Sequence, residues 1–222
     1  MKSIFSRTEL GHAILASLGS TTVPRALAPW ATAFEDAQQA LVVGTRQVAE
    51  SEQALRSALA SRSERKAACV EALDLLATAL VVAGRTRRAT PLAGFSSVPL
   101  HTLAERPVAQ LLASIQQLTQ RAAEGGSVGP VGQAVRAASL AGERLTRADR
   151  TVCVAQGALR EARTARHLAA SAWDHAQARL RTQATAAWLD QPEVLARVFP
   201  AQSRRRHGGG RLAPVTPAQA AA

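Results

Sequence analysis

The sequence predicts an all-α protein built on two long antiparallel helices, and three observations carry that prediction. The chain has no tyrosine, only 3% aromatic residues, and a middle dominated by Ala, Arg, Gln and Leu, the vocabulary of long helices rather than sheets. From Trp30 to Gly84 there is no proline and Gly44 is the single interior glycine, which permits one helix of about 55 residues, roughly 80 Å long. Finally, two stretches keep a strict seven-residue apolar repeat. Stepping from Phe34 gives Leu41, Val48, Leu55, Arg62, Cys69 and Leu76, and stepping from Val131 gives Ala138, Leu145, Val152, Leu159, Arg166, Trp173, Leu180 and Ala187.

Each row has a small-residue companion three positions on. In the first stretch it is Ala37, Gly44, Ser51, Ala58, Arg65, Ala72 and Ala79. In the second it is Ala134, Ala141, Ala148, Ala155, Ala162, Ala169 and Ala176. Seams of this kind let two backbones approach closely, as in an alanine-seam coiled-coil hairpin.

Taken in order, residues 1–29 form an N-terminal segment closed by Pro24 and Pro29. Its one helix candidate runs from about Glu9 to Leu18, with Ser6 and Glu9 in capping-box spacing, and it reads as an appendage. The first long helix occupies about 30–84. Residues 85–106 carry Pro91, Gly94, Pro99 and several Ser and Thr, and read as a loop with some local order. Pro107 suits the start of a short helix over about 107–123, with Val108, Leu111, Leu112, Ile115 and Leu118 on one stripe that should pack on the long pair. The second long helix spans about 131–190, a last short one about 192–199, and the basic tail 201–222 has the composition of a disordered segment.

Charge favours pairing within the chain. Residues 30–84 hold five basic and seven acidic side chains, whereas 131–190 hold nine and five, so each long helix finds its complement in the other. In an antiparallel hairpin with Gly84 and Val131 at one end, Arg65 is expected near Asp149, Arg163 and Arg166 near Glu50 and Glu52, and Trp30 near Trp188. A second architecture, in which each long segment folds in half near Arg62 and Arg166 to give a four-helix bundle, satisfies the same pattern, with Ser61 and Glu64 at capping-box spacing.

No catalytic, metal-binding or nucleotide motif stands out in the sequence, so no cofactor is expected. His167 and His175 are eight residues apart, too far to share a metal on one helix. Gly125-Gly126-Ser127-Val128-Gly129-Pro130 lacks the preceding strand and the Lys-Ser or Lys-Thr of a phosphate loop. Cys69 and Cys153 read as reduced, buried core thiols. The net charge of +11 brings a polyanion into consideration, discounted because only Lys2 and Lys66 of the 27 basic residues are lysine, a bias of composition. Anion- or partner-binding candidates are Arg85, Arg87 and Arg88 in the loop and Arg204, Arg205, Arg206 and Arg211 in the tail.

Arg7, Glu9 and His12 interrupt the apolar run at the N-terminus, and the longest apolar stretch, Leu75 to Gly84, is too short to span a bilayer, so a cytoplasmic chain without a transmembrane segment is expected. The function expected on these grounds is a non-enzymatic scaffold or adaptor acting through protein–protein contacts, with a protein partner of unknown identity and room for a homodimer. Two readings from other classes stay open: nonspecific nucleic-acid binding through the arginines, and an amphipathic protein coating an apolar surface.

Overall fold

The computed structural model describes residues 4–96, 98–124 and 129–199, with side chains described from Arg7 onward. The tail with Arg204, Arg205, Arg206 and Arg211, and residues 125–128 of the glycine-rich turn, lie outside the described residues. The described chain is helical: α1 (Ile4–Gly19), a 3₁₀ turn (Arg25–Leu27), α2 (Ala28–Val82), α3 (Leu100–Glu105), α4 (Val108–Glu124), α5 (Gly129–Ala187) and α6 (Pro192–Val198). α2 passes through Arg62 and α5 through Arg166 without a break, so the two long segments are continuous helices rather than the halves of a folded bundle. The described residues divide into two compact units, one within 37–173 and the other of 4–36 with 174–199.

In the first unit the heptad rows are the buried seam. Leu41, Val48, Cys69 and Leu76 of α2 and Ala138, Leu145, Val152, Leu159 and Trp173 of α5 are all buried. Small companions allow close approach: a Cβ built at Gly44 would lie 3.2 Å from the Cα of Arg166. Polar pairs set the axial level of the antiparallel helices. The indole Nε1–H of Trp173 donates to Gln38 Oε1 at 2.6 Å, Arg163 donates to Glu52 at 2.9 Å, and Arg62 donates to Asp149 at 3.1 Å. The Glu52–Arg163 pair is as expected. Asp149 instead takes Arg62, one turn before Arg65, and Arg166 lies over Gly44 while Glu50 bonds Arg46 at 2.7 Å along its own helix.

The physical reason is that a seven-residue period fixes which faces meet but leaves the axial offset free. A shift of about three residues moves a long side chain to the next turn.

α2 ends where the sequence places its stop. Gly84 adopts φ +69°, its N–H bonds Val81 and the N–H of Arg85 reaches Leu80, a Schellman closure that satisfies the last carbonyls. The following segment is more structured than a loop: Pro99 precedes the short α3, whose Leu103 is fully buried. α4 then covers the adjoining end of the pair. Leu111, Ile115 and Leu118 join Leu73, Leu76, Leu80, Val135 and Leu145 in one cluster, and Ile115 lies 3.2 Å from where a Cβ at Gly142 would sit. Each such buried aliphatic side chain contributes about 1.5–3 kcal/mol. Beyond Cys69 and Leu145 the cluster stops and the helices continue with their shared seam.

In the second unit, α1 is no appendage. It begins at Ile4, five residues before the start expected at Glu9. It buries Ile14 and Leu18 and packs against α6, whose Val198, with the adjoining Phe199, is also buried. Arg7, 8% exposed, makes a bidentate ion pair with Asp174 of α5, Nε to Oδ1 at 3.0 Å and Nη2 to Oδ2 at 2.7 Å. Donating hydrogen bonds to that carboxylate, against the opposing effect of burial, raises the affinity of the Arg7 guanidinium for its proton. Trp188 is buried and Trp30 half-buried in the same unit.

Candidate functional site

The three loop arginines named from the sequence do not act as one group. Arg85 follows the Schellman glycine, and its half-buried guanidinium donates to the carbonyl of Ala122 at 3.1 Å, in the last turn of α4. There it complements the negative end of that helix and ties the loop to it. Arg85 therefore also serves as a structural clamp between the loop and α4. Arg87 and Arg88 open a tight turn closed by the N–H of Thr90 on the carbonyl of Arg87 at 3.0 Å, and both side chains are exposed. A second anchor comes from α4, where Arg121 reaches the carbonyl of Phe95 at 3.3 Å.

The turn leads into a pocket of about 510 Å³ lined by residues 89–93, Ser96 and 98–101. Its walls are mainly short or apolar side chains, including Pro91, Leu92 and Val98, with His101 at the rim, so it suits an apolar group better than an anion. Sequence reasoning missed this pocket, because it arises from the way the segment folds back after Gly84 and is held by Arg121. A further groove of about 600 Å³ runs between α4 and α5, with Gln116, Thr119, Glu143 and Thr146 among its walls.

Titratable groups elsewhere are dispersed. Among the described residues no three of His, Cys, Asp and Glu stand close enough to hold a metal ion. His167 and His175 are exposed on α5. Cys69 is buried in the seam, and desolvation pushes its thiol up to about 11. Cys153 is exposed, against the expectation that both thiols are buried, because it follows Val152 by one position and so turns off the seam. On the paired helices Glu52 is held charged below the usual carboxylate range, first by its hydrogen bond from Arg163 and then by the fields of Arg163, Arg56 and Arg166. Of these only the Arg163–Glu52 pair is a direct contact, and it bridges α5 and α2 at 2.9 Å.

Among the described residues no helix is long and apolar enough to cross a membrane. No known protein family, no curated protein and no solved structure matches this chain.

Proposed function

We propose that the protein is a non-enzymatic scaffold or adaptor of the cytoplasm, a coiled-coil-like hairpin that acts through protein–protein contacts. The observation that carries this reading is the seam. Two helices of 55 and 59 residues bury matched heptad rows, and polar pairs at Gln38–Trp173, Glu52–Arg163 and Arg62–Asp149 hold one axial level. Such an arrangement presents surface at fixed spacing, which is what a scaffold requires. The exposed free thiol of Cys153 suits a reducing compartment.

The test is size-exclusion chromatography with light scattering at low salt, recording absorbance at 260 and 280 nm. A scaffold elutes free of nucleic acid. The second reading, nonspecific nucleic-acid binding, is favoured by the exposure of Arg87 and Arg88 on their turn. Co-elution with nucleic acid that high salt strips, and that Arg87→Ala with Arg88→Ala weakens, would replace the scaffold reading with this one.

A further inference from the structure

We infer that the face of the α2–α5 pair turned away from α4 is a self-association surface, on which a second copy of this chain docks. The inference deepens the scaffold reading and rests on it. Within residues 37–173, let the row of Leu41 and Leu145 be position a of the heptad. Position e then carries Leu73, Leu80, Val135 and Gly142, all buried on the side that α4 covers. Positions c and g lie on the other side. There Val43, Leu75, Val82, Leu140, Val154 and Leu168 are exposed, six of the eight exposed large apolar side chains among the described residues, with Val154 at 73% and Leu168 at 64%. The open groove of about 220 Å³ that Ala68 and Ala72 share with Ala137, Leu140 and Ala141, with Arg65 and Arg144 also on its walls, places the two helices on one continuous surface.

Of these, the g positions flank the seam, where soluble paired helices ordinarily carry charge. Here the g positions are mostly uncharged and small: at the level set by Arg62–Asp149, Ala54 stands across from Ala158, Ala40 from Ala172 and Ser61 from Thr151. Scattered apolar residues on a surface need no explanation, but a concentration on one face marks an interaction surface.

Size and charge identify the occupant. The stripe from Ala40 to Leu75 and from Ala137 to Ala172 is about 54 Å long, and at the width of two packed helices it offers roughly 800 Å² per copy, the standard share of a specific interface. Its edges differ in charge, with Glu64 and Glu71 along α2 and Arg144 and Arg147 along α5. A two-fold axis parallel to the helices lays α2 of one copy over α5 of the other with levels preserved. Glu64 then meets Arg147 of the second copy, Glu71 stands beside Arg144, and Val43 meets Leu168. A two-fold axis across the helices would stack α2 on α2 and oppose Glu64 to acidic neighbours, so charge selects the first arrangement. The like-charge encounter of Glu50 with Glu161 that it creates is softened because Glu50 already bonds Arg46 at 2.7 Å.

The full chain is tested by sedimentation equilibrium over a range of concentrations, with far-UV circular dichroism confirming unchanged helicity. The wild type is expected to be a reversible dimer. Glu64→Arg or Arg147→Glu alone should weaken it at least about tenfold and the two together restore it, while Val154→Glu weakens it without rescue. A chain that stays monomeric, a dimer indifferent to these substitutions, or one that the paired reversal fails to restore overturns the inference. The scaffold reading falls on a different result, the co-elution of nucleic acid, so the two failures are distinguishable.

Discussion

Replacing Gly44 by alanine sets two effects of known sign against each other. In a helix interior Gly→Ala contributes about 1 kcal/mol, from reduced backbone entropy in the unfolded chain and better propensity. At Gly44 the added methyl would lie 3.2 Å from Arg166 Cα, 3.5 Å from its Cβ and 3.7 Å from its nitrogen. Those are backbone or near-backbone atoms of α5, so the helices must separate by a few tenths of an ångström, and that separation loosens contacts along the neighbouring seam. Overpacking of this sort costs about 1–3 kcal/mol, enough to cancel or exceed the gain.

Two glycines in the same protein serve as internal controls. Gly157 has nothing within 4 Å of a Cβ, so Gly157→Ala should deliver the full gain of about 1 kcal/mol. Gly142 meets a single side-chain methyl, Ile115 Cγ2 at 3.2 Å, which needs to give by only a few tenths of an ångström, so its alanine variant should fall between the others. The assay is urea denaturation followed at the helix band, comparing midpoints at constant slope. Expected is the order Gly157→Ala most stable, then Gly142→Ala, then Gly44→Ala at or below the wild type. A Gly44→Ala variant stabilised as much as Gly157→Ala would refute the close approach of α2 and α5, and with it the axial level assigned to the pair.

Other expectations follow from named contacts. Trp173→Phe, or Gln38→Leu, removes a buried 2.6 Å hydrogen bond and should cost about 1–3 kcal/mol, with the double variant costing less than the two singles together, as a double-mutant cycle in urea will show. Asp174→Asn replaces the carboxylate that accepts two bonds from the buried Arg7 and should cost about 1–2 kcal/mol by the same assay. Thiol titration should find Cys153 reactive in the folded chain and Cys69 reactive only on unfolding. Because the folded thiol of Cys69 lies above its unfolded value, near 8.5, its contribution is present below that pH and is lost as pH rises through about 11. The decline in unfolding free energy over that window should be shallower in Cys69→Ala.

What could be read from the sequence was periodic. The rows from Phe34 and Val131 named the buried seam because a seven-residue repeat maps directly onto one helix face, and both Gly84 and the stripe on α4 announced themselves by residue type. What escaped was whatever depends on distant partners. Arg7 looked like a polar intrusion into an apolar run, yet its carboxylate stands 167 residues away in sequence. Asp149 found Arg62 instead of Arg65 because axial offset is decided by contacts such as Gln38–Trp173 and Gly44–Arg166, neither of which leaves a periodic trace. The bond from Arg85 to the last turn of α4 likewise left no trace in the sequence, since its carbonyl lies 37 residues away. The loop pocket had no signature at all, since Pro91, Leu92 and Val98 become walls only after the segment closes.

The position of α4 also bears on the order in which the protein folds. The contact that seats the connection, Arg85 to Ala122, joins residues 37 apart, whereas the pairs that bridge α2 and α5 join residues 87, 111 and 135 apart. Closing the long loop directly means searching for a partner more than eighty residues away. Once α4 has folded back on the end of α2, the start of α5 is delivered to the same place, and each later polar pair is only about three to four turns from one already made. The two long helices are thus expected to close like a zipper drawn from the α4 end, with the rate set by that first short-range docking and the most sequence-distant pair, Gln38 with Trp173, among the last to form.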